Sequence, residues 1–538
     1  MHTKNKPPGA QANVNVPAPA KNAFLLFASP TFWLKAVMLA QMALLGLQFA
    51  PTISTNGDDA VYYILGKSLA SGQGYHNIHL VHSPIATSYP IVFPAFLSIT
   101  HFFTDTPLLA KILVMCLGLL VTLASWKLFK LYMPPYALPL IVLIGSSAVL
   151  NQHAIELLSE IPYVLLTLIS LLLMEKSYRE PHKKWLFWLT IVVSILPMNC
   201  RSIGMAFSAA FIAANCLNKH FKYALAHGAV LACGIVFFKM ITSWNTPYVL
   251  QLFQVNSYDP EKGYATISEM ISRVTANIAT YSSQILPDAL FPSFAAANPG
   301  VVKPLGIILS LLIGLGCLKT LLLPSRLVGL YIVFYCGILS LWQAQWSSGR
   351  FLAGIMPLLY YALFAGITLI WDATALLKHG AAAGVRACCT APFSSLSKMR
   401  ALVFWSMALV LAIDTTCAQV ANCEKRKQLS ADWANYNACA DWIRVNTPQN
   451  AIVVSRKAEL TFLRCHRQGM LYPFSRDKEK VLADIRKEGA THILLDNFFW
   501  TGTTQRYLYP ALMAHPEFYR IVYGLKNPDT YVLEIVTK

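Results

Sequence analysis

Long apolar runs constrain this chain more than any other feature. Runs beginning near Ala36, Leu108, Tyr136, Ile161, Trp185, Ile203, Tyr223, Pro304, Leu327, Phe351 and Ala401 are long enough to cross about 30 Å of hydrocarbon as helices, about eleven spans in all. The expected fold class is therefore an α-helical polytopic membrane protein. Composition agrees: 56% of residues are hydrophobic and 13% charged, against about a quarter charged in soluble proteins, and the mean hydropathy is +0.49.

A formal charge of +18 would suit a nucleic-acid partner, but the basic residues fall in short clusters between apolar runs, as orientation in a bilayer requires. Nucleic acid is thereby argued against. With a cytoplasmic amino terminus, every second connection is basic: Lys127 and Lys130; Lys176, Arg179, Lys183 and Lys184; Lys219 and Lys222; Lys319 and Arg326; Lys378, Arg386, Lys398 and Arg400. The other connections then share the outer face: 54–88, 151–160, the turn at Arg201, 244–301, 343–350, and everything after Cys417.

Three domains are expected. Residues 1–23 are rich in Pro, Ala, Asn and Lys without an apolar core and read as a disordered cytoplasmic tail. Residues 24–420 form the membrane module, with outer loops at 54–90 and 244–301. In residues 421–538 charges return and helical stretches alternate with short β-rich ones, Ala451–Val454 and His492–Leu495, which predicts a small extracytoplasmic α/β domain closed by a hairpin across Asn527-Pro528-Asp529. Of the twelve cysteines, most sit singly inside spans as small apolar side chains. Cys423, Cys439 and Cys465 face the outer compartment, and a disulfide among them is left open. Cys388 and Cys389 have no partner at metal-ligand spacing.

Chemistry concentrates in the first outer loop. After Asp58 and Asp59, the spacing of Val61, Ile64, Leu65 and Leu69 predicts an amphipathic helix resting on the membrane interface. An acid at a helix start is commonly a cap. Here it is followed by Ser71-Gly72-Gln73-Gly74-Tyr75 and by Pro84, Pro90 and Pro94, which fix a second juxtamembrane segment. His76, His79 and His82 recur every third residue, a spacing that aligns them neither on a strand nor on a helix face, so a divalent metal is possible but not supported. No other cofactor is indicated.

The acidic pair followed by Tyr62-Tyr63, then Leu69-Ala70-Ser71-Gly72-Gln73-Gly74-Tyr75 and Tyr89-Pro90 with Phe93-Pro94, resembles the first periplasmic loop of the GT-C glycosyltransferases that use polyprenyl-phosphate sugars. These include the protein O-mannosyltransferases and the lipid A aminoarabinose transferase. Ser159-Glu160, Asn199–Gly204 and Gly349–Leu352 with Pro357 match in order. The resemblance implies an inverting glycosyltransferase that moves a hexosyl or pentosyl unit from a polyprenyl-phosphate carrier to a lipid-glycan or protein acceptor at the outer face of a bacterial inner membrane.

By the same resemblance Asp58 corresponds to the catalytic carboxylate, a general base on the acceptor hydroxyl, with Asp59 where relatives more often carry Glu. The departing phosphate needs countercharge rather than an acid. Arg201 and Arg350, at outer ends of spans, match the family's phosphate binders, with Lys303 a third candidate. A terminal arginine also serves simply as a headgroup anchor. Glu160, gathered with His153 and Glu156 in the second outer connection, is open to three roles: orienting the acceptor, assisting Asp58, or pairing with Arg201. His153 and Tyr62 are accessory candidates for the acceptor. Two other classes are weighed. A flippase of lipid-linked glycans would show ionisable groups near mid-membrane, whereas these acids cluster at the surface; a non-catalytic assembly protein would tolerate Asp58→Asn.

Overall fold

The computed structural model describes residues 29–241, 250–323, 326–378 and 398–536. The expected tail 1–23 and Cys388-Cys389 lie outside the described residues. A helix begins at or near each of the eleven expected positions. Among the described residues, six helices are long and apolar enough to cross a membrane: Pro30–Gln48, Pro107–Tyr132, Glu160–Arg179, Pro299–Leu322, Gly349–Thr374 and Met399–Lys425. The pair Pro134–Ser146 and Ala148–Ala154, bent by 53° at the break, is together long and apolar enough for a broken span or a re-entrant loop. The protein is an integral membrane protein of mostly helical build. The apolar helices Lys184–Cys200, Ser202–Leu217, Phe221–Val236 and Arg326–Leu341 are shorter; at about 1.5 Å per residue, 17 residues reach only about 25 Å.

The bend at Ser147 leaves backbone groups that hydrocarbon cannot satisfy, and side chains take them up. Asn151 Nδ2 donates to the Gly145 carbonyl at 3.0 Å and Gln419 Nε2 to the Ser146 carbonyl at 2.8 Å. Gln41 joins Asn151 at 3.1 Å, and Gln48 joins Gln419 at 3.0 Å. Four elements are thus fastened at the break.

The last membrane helix runs on to Lys427, and the carboxy-terminal domain begins with the helix Ala431–Asn446. Its sheet has the order β2-β1-β3-β5-β4, with β1 Val453–Val454, β2 Gly469–Met470, β3 His492–Leu495, β4 Tyr519–Leu525 and β5 Thr530–Ile535. β1 is parallel to β2 and β3; β5 is antiparallel to β3 and β4. The two-residue period of a strand sends neighbours to opposite faces. Val453, Leu494 and Val532 pack under the helices Ala431–Asn446 and Ala458–Cys465, while Val454, Ile493 and Leu533 pack with Val481, Ile485 and Leu508 on the other side. Cys439 and Cys465 are buried as free thiols in the first of these cores, and Cys423 is also free.

This domain is a roof over the first outer loop. Gly469 of β2 donates to the His79 carbonyl at 2.9 Å and accepts from the Val81 amide at 3.1 Å, so the loop adds a bridge to the sheet edge. Lys457 Nζ reaches the Asn56 carbonyl at 2.8 Å. The second outer loop joins as well, through Arg476 and Arg506 on Asp259. The loops 54–90 and 250–301 and the roof therefore lie on one side of the membrane helices.

Candidate active site

The helix Asp58–Ala70 starts at Gly57, whose φ of +90° is open to glycine at little cost. A Cβ there would lie 2.3 Å from Glu459 Oε1 of the roof. The expected amphipathic helix resting on the membrane interface is instead enclosed: every residue from Asp59 to Gly66 is buried. The helix Val92–His101 packs on one side, close enough that a Cβ on Gly66 would lie 3.1 Å from Leu97 Cβ and 3.3 Å from the Pro94 carbonyl, and the roof covers the end.

Successive residues on a helix point about 100° apart, and the acidic pair divides accordingly. Asp59 is fully buried and turns back to accept from the Ser54 amide at 2.6 Å and the Ala60 amide at 3.0 Å. Burial raises its pKa, against those hydrogen bonds and the nearby Lys111 ammonium. Asp59 ties the loop down. Asp58 points the other way, accepting from the Tyr89 hydroxyl at 2.8 Å and pairing with Arg350 Nη1 at 2.7 Å.

From Asp58 the charges alternate. Arg350 Nε also donates to Glu160 Oε1, and the same oxygen takes Arg201 Nη1 at 2.6 Å. Arg201 Nη1 lies 3.2 Å from Ser159 Oγ, which shares a hydrogen bond of 2.9 Å with the Tyr62 hydroxyl. One row thus joins Asp58, Arg350, Glu160 and Arg201, contributed by four separate stretches of chain. Glu160 is fully buried while Asp58 keeps 35% of its side chain exposed. The row opens to water at the aspartate.

Each arginine is placed by a local break. Arg201 follows the last turn of Lys184–Cys200 in extended conformation, φ −145° and ψ 137°, before the single 3₁₀ turn Ser202–Gly204. The reversal is tight enough that a Cβ on Gly204 would lie 2.5 Å from the Met198 amide nitrogen and the Pro197 carbonyl. Arg350 sits in the 3₁₀ segment Gly349–Ile355 that leads into Met356–Lys378. The Phe351 carbonyl in that segment accepts from the Tyr335 hydroxyl at 2.7 Å.

His153 is buried beside the row, its Nδ1 2.7 Å from the Val149 carbonyl, within electrostatic reach of Glu160, Arg350 and Arg201. Glu156, in the turn before Glu160, is pushed up to about 7 by burial and by the neighbouring Asp59 and Glu160. Lys303 is exposed near the start of Pro299–Leu322 and makes no ion pair among the described residues; nothing brings it to the row. The three histidines of the first loop also separate: His76 bonds the Gln73 carbonyl, His79 is buried under the roof, and His82 pairs with Glu488 at 3.2 Å. Among the described residues no cluster of ligands could hold a metal.

Tyr89 lay within the first-loop motif, but a period-based reading gave it no role; it reaches Asp58 only because the segment 75–90 folds back, with Tyr75 donating to the Tyr89 carbonyl at 2.7 Å. Both guanidiniums have further N–H groups without a protein acceptor among the described residues, donors in fixed planar array that suit phosphate oxygens.

No protein-family model and no curated protein sequence matches the chain. Solved structures do. ArnT from Cupriavidus metallidurans, bound to undecaprenyl phosphate, superposes with a TM-score of 0.55 at 11% identity, covering 96% of this chain and 99% of ArnT. The oligosaccharyltransferase of Archaeoglobus fulgidus in its apo form superposes with a TM-score of 0.54 at 13% identity, covering 88% and 70%. The same archaeal enzyme tethered to an acceptor peptide gives 0.53 at 12% identity, covering 96% and 74%. The chain has the polytopic fold of the GT-C glycosyltransferases. Within that fold it is similar to ArnT over nearly the whole of both chains.

Proposed function

We propose that this protein is an inverting glycosyltransferase that takes a sugar from a polyprenyl-phosphate carrier and transfers it to a lipid-glycan or protein acceptor at the outer, periplasmic face of a bacterial inner membrane. The observation that carries the reading is the row Asp58–Arg350–Glu160–Arg201 under the roof. The kinds of ligand found in the structural neighbours support it: undecaprenyl phosphate in ArnT, dolichol phosphate and acceptor peptide in the archaeal enzyme.

The donor phosphate binds against Arg350 and Arg201. It competes with Asp58 for Arg350 Nη1, so donor binding frees the aspartate oxygen at the same moment that it neutralises the arginine. Asp58 then accepts the proton of the acceptor hydroxyl, whose oxygen attacks the anomeric carbon on the face opposite the phosphate. The bond to phosphate breaks and the electron pair leaves with the carrier. A positioned base of this kind contributes about 10² to 10⁴ in rate. Glu160 Oε1 accepts from both guanidiniums and so holds them side by side next to Asp58.

The test is the glycan inventory of a strain lacking the protein, together with release of polyprenyl phosphate by the purified chain from polyprenyl-phosphate-linked sugars. The reading expects a shortened glycolipid or an unmodified protein in the first, and turnover in the second. An unchanged inventory with no turnover of any such donor defeats it.

A further inference from the structure

A second constellation lies on the roof, which the transfer step does not use. Arg456, just after β1, holds its guanidinium among three rings: 5.8 Å from the Tyr258 centroid, 5.6 Å from Phe474 and 5.6 Å from Trp500. Lys457 stands 5.3 Å from the same Trp500 ring. Three aromatic faces around one cation form a cage that holds a guanidinium in a fixed position while its in-plane N–H edge remains able to bond.

Arg456 lies within electrostatic reach of the buried Asp496 without bonding to it. It makes no ion pair among the described residues, and its one hydrogen bond there is a long one, Nε to Thr501 Oγ1 at 3.4 Å. The joint between roof and outer loop is made by other groups: Arg476 and Arg506 on Asp259, and the Tyr507 hydroxyl on the Tyr258 carbonyl at 3.0 Å. Arg456 crosses that joint only through the face of the Tyr258 ring, with no ion pair there among the described residues. Trp500 is also 53% exposed. A half-exposed indole offers a flat apolar face with a polar edge, which suits the C–H face of a pyranose ring.

The cage is near the chemistry. Lys457 bonds the carbonyl of Asn56, two residues before Asp58, and two consecutive Cα steps span at most about 8 Å. We infer that Trp500 and Arg456, with Tyr258 beside them, form an acceptor subsite, and that the acceptor is an acidic glycan whose sugar stacks on Trp500 while its carboxylate or phosphate meets Arg456. The inference rests on the transferase reading for the word acceptor and on the cage alone for the binding.

The experiment is calorimetric titration of the full chain in neutral phosphatidylcholine nanodiscs with three probes: tetragalacturonate, neutral tetragalactose, and inorganic phosphate. Tetragalacturonate is expected to bind at least about ten-fold more tightly than either of the others. Trp500→Ala should weaken that binding by about ten-fold with an unchanged melting temperature, and Arg456→Gln should abolish the preference for the acidic probe. Because Trp500 is half in solvent, its variant carries the test should Arg456→Gln fold poorly. Equal binding of the two oligosaccharides overturns the inference. So does phosphate binding as tightly as tetragalacturonate and lost in Arg456→Gln, which marks a headgroup site, or wild-type affinity in both variants. Asp58→Asn protein should still bind tetragalacturonate. Sugar transfer without acidic preference removes the subsite and leaves the transferase; acidic binding without transfer does the reverse.

Discussion

Glu160→Gln separates the scaffold of the row from its chemistry. Glu160 Oε1 accepts from both Arg201 and Arg350, and 1% of its side chain is exposed. At 2.6 Å from Arg201, one such pair amounts to roughly 6 kcal/mol of gross attraction at an effective dielectric of about 20. Desolvation offsets much of that, and breaking a buried pair costs about 3–5 kcal/mol because the partner is left charged. Glutamine has nearly the same shape and keeps an acceptor oxygen, so what is lost is the charge between two guanidiniums. We expect Glu160→Gln to lose about 3–5 kcal/mol of stability. Asp58→Asn breaks a pair whose acid is one-third exposed and should lose about 1 kcal/mol or less. Unfolding of the purified protein by titration of SDS into mixed micelles, followed by circular dichroism, measures both. Equal stability of the two variants would refute the reasoning, since the row would then not depend on Glu160.

Three further outcomes follow from the same geometry. Arg350→Lys keeps the charge but loses the planar fork that serves Asp58 and Glu160 together; kcat/KM for the lipid donor should fall by about ten-fold or more while the protein stays folded. Gly204→Ala forces a methyl onto backbone at 2.5 Å and should cost about 1–3 kcal/mol, with a raised KM for donor because Arg201 moves with the turn. In the roof, burial raises the Asp496 carboxyl from 3.8 to about 6. The fold therefore favours the protonated form, and this contribution, complete below about pH 3.8, is lost as pH rises through 6, about 3 kcal/mol in all. Asp496→Asn should remove that dependence, so its melting temperature relative to wild type should rise between pH 4 and about pH 6 and then level off toward pH 8.

The membrane helices and the roof's α/β build were legible because both rest on local periodicity. Helices such as Glu160–Arg179 announce themselves by apolar length, and His492–Leu495 by β-branched and aliphatic neighbours between turns. The sides of the helix Asp58–Ala70 were not legible. Its spacing fits an interface helix, yet its start is covered by Glu459, Lys457 and Tyr89 of the 75–90 segment, contacts separated by up to four hundred residues of chain that no window spans. For the same reason the division of labour between Asp58 and Asp59 is set by the fold: adjacent acids are identical to any pattern, and only the turn at Ser54 decides which one is tied down. Arg201 and Arg350 were within reach because helix ends on the side of the acidic pair are few; Lys303, which meets the same description, shows that position along a span does not decide where a side chain arrives.

The most direct measurement compares donor turnover by Asp58→Asn and wild-type protein, counted as polyprenyl phosphate released from a polyprenyl-phosphate-linked sugar in the presence of acceptor, after both have been shown to melt alike. Loss of at least about 10²-fold in the variant is the result expected if the aspartate takes the acceptor proton. Turnover at the wild-type rate by the folded variant would contradict it.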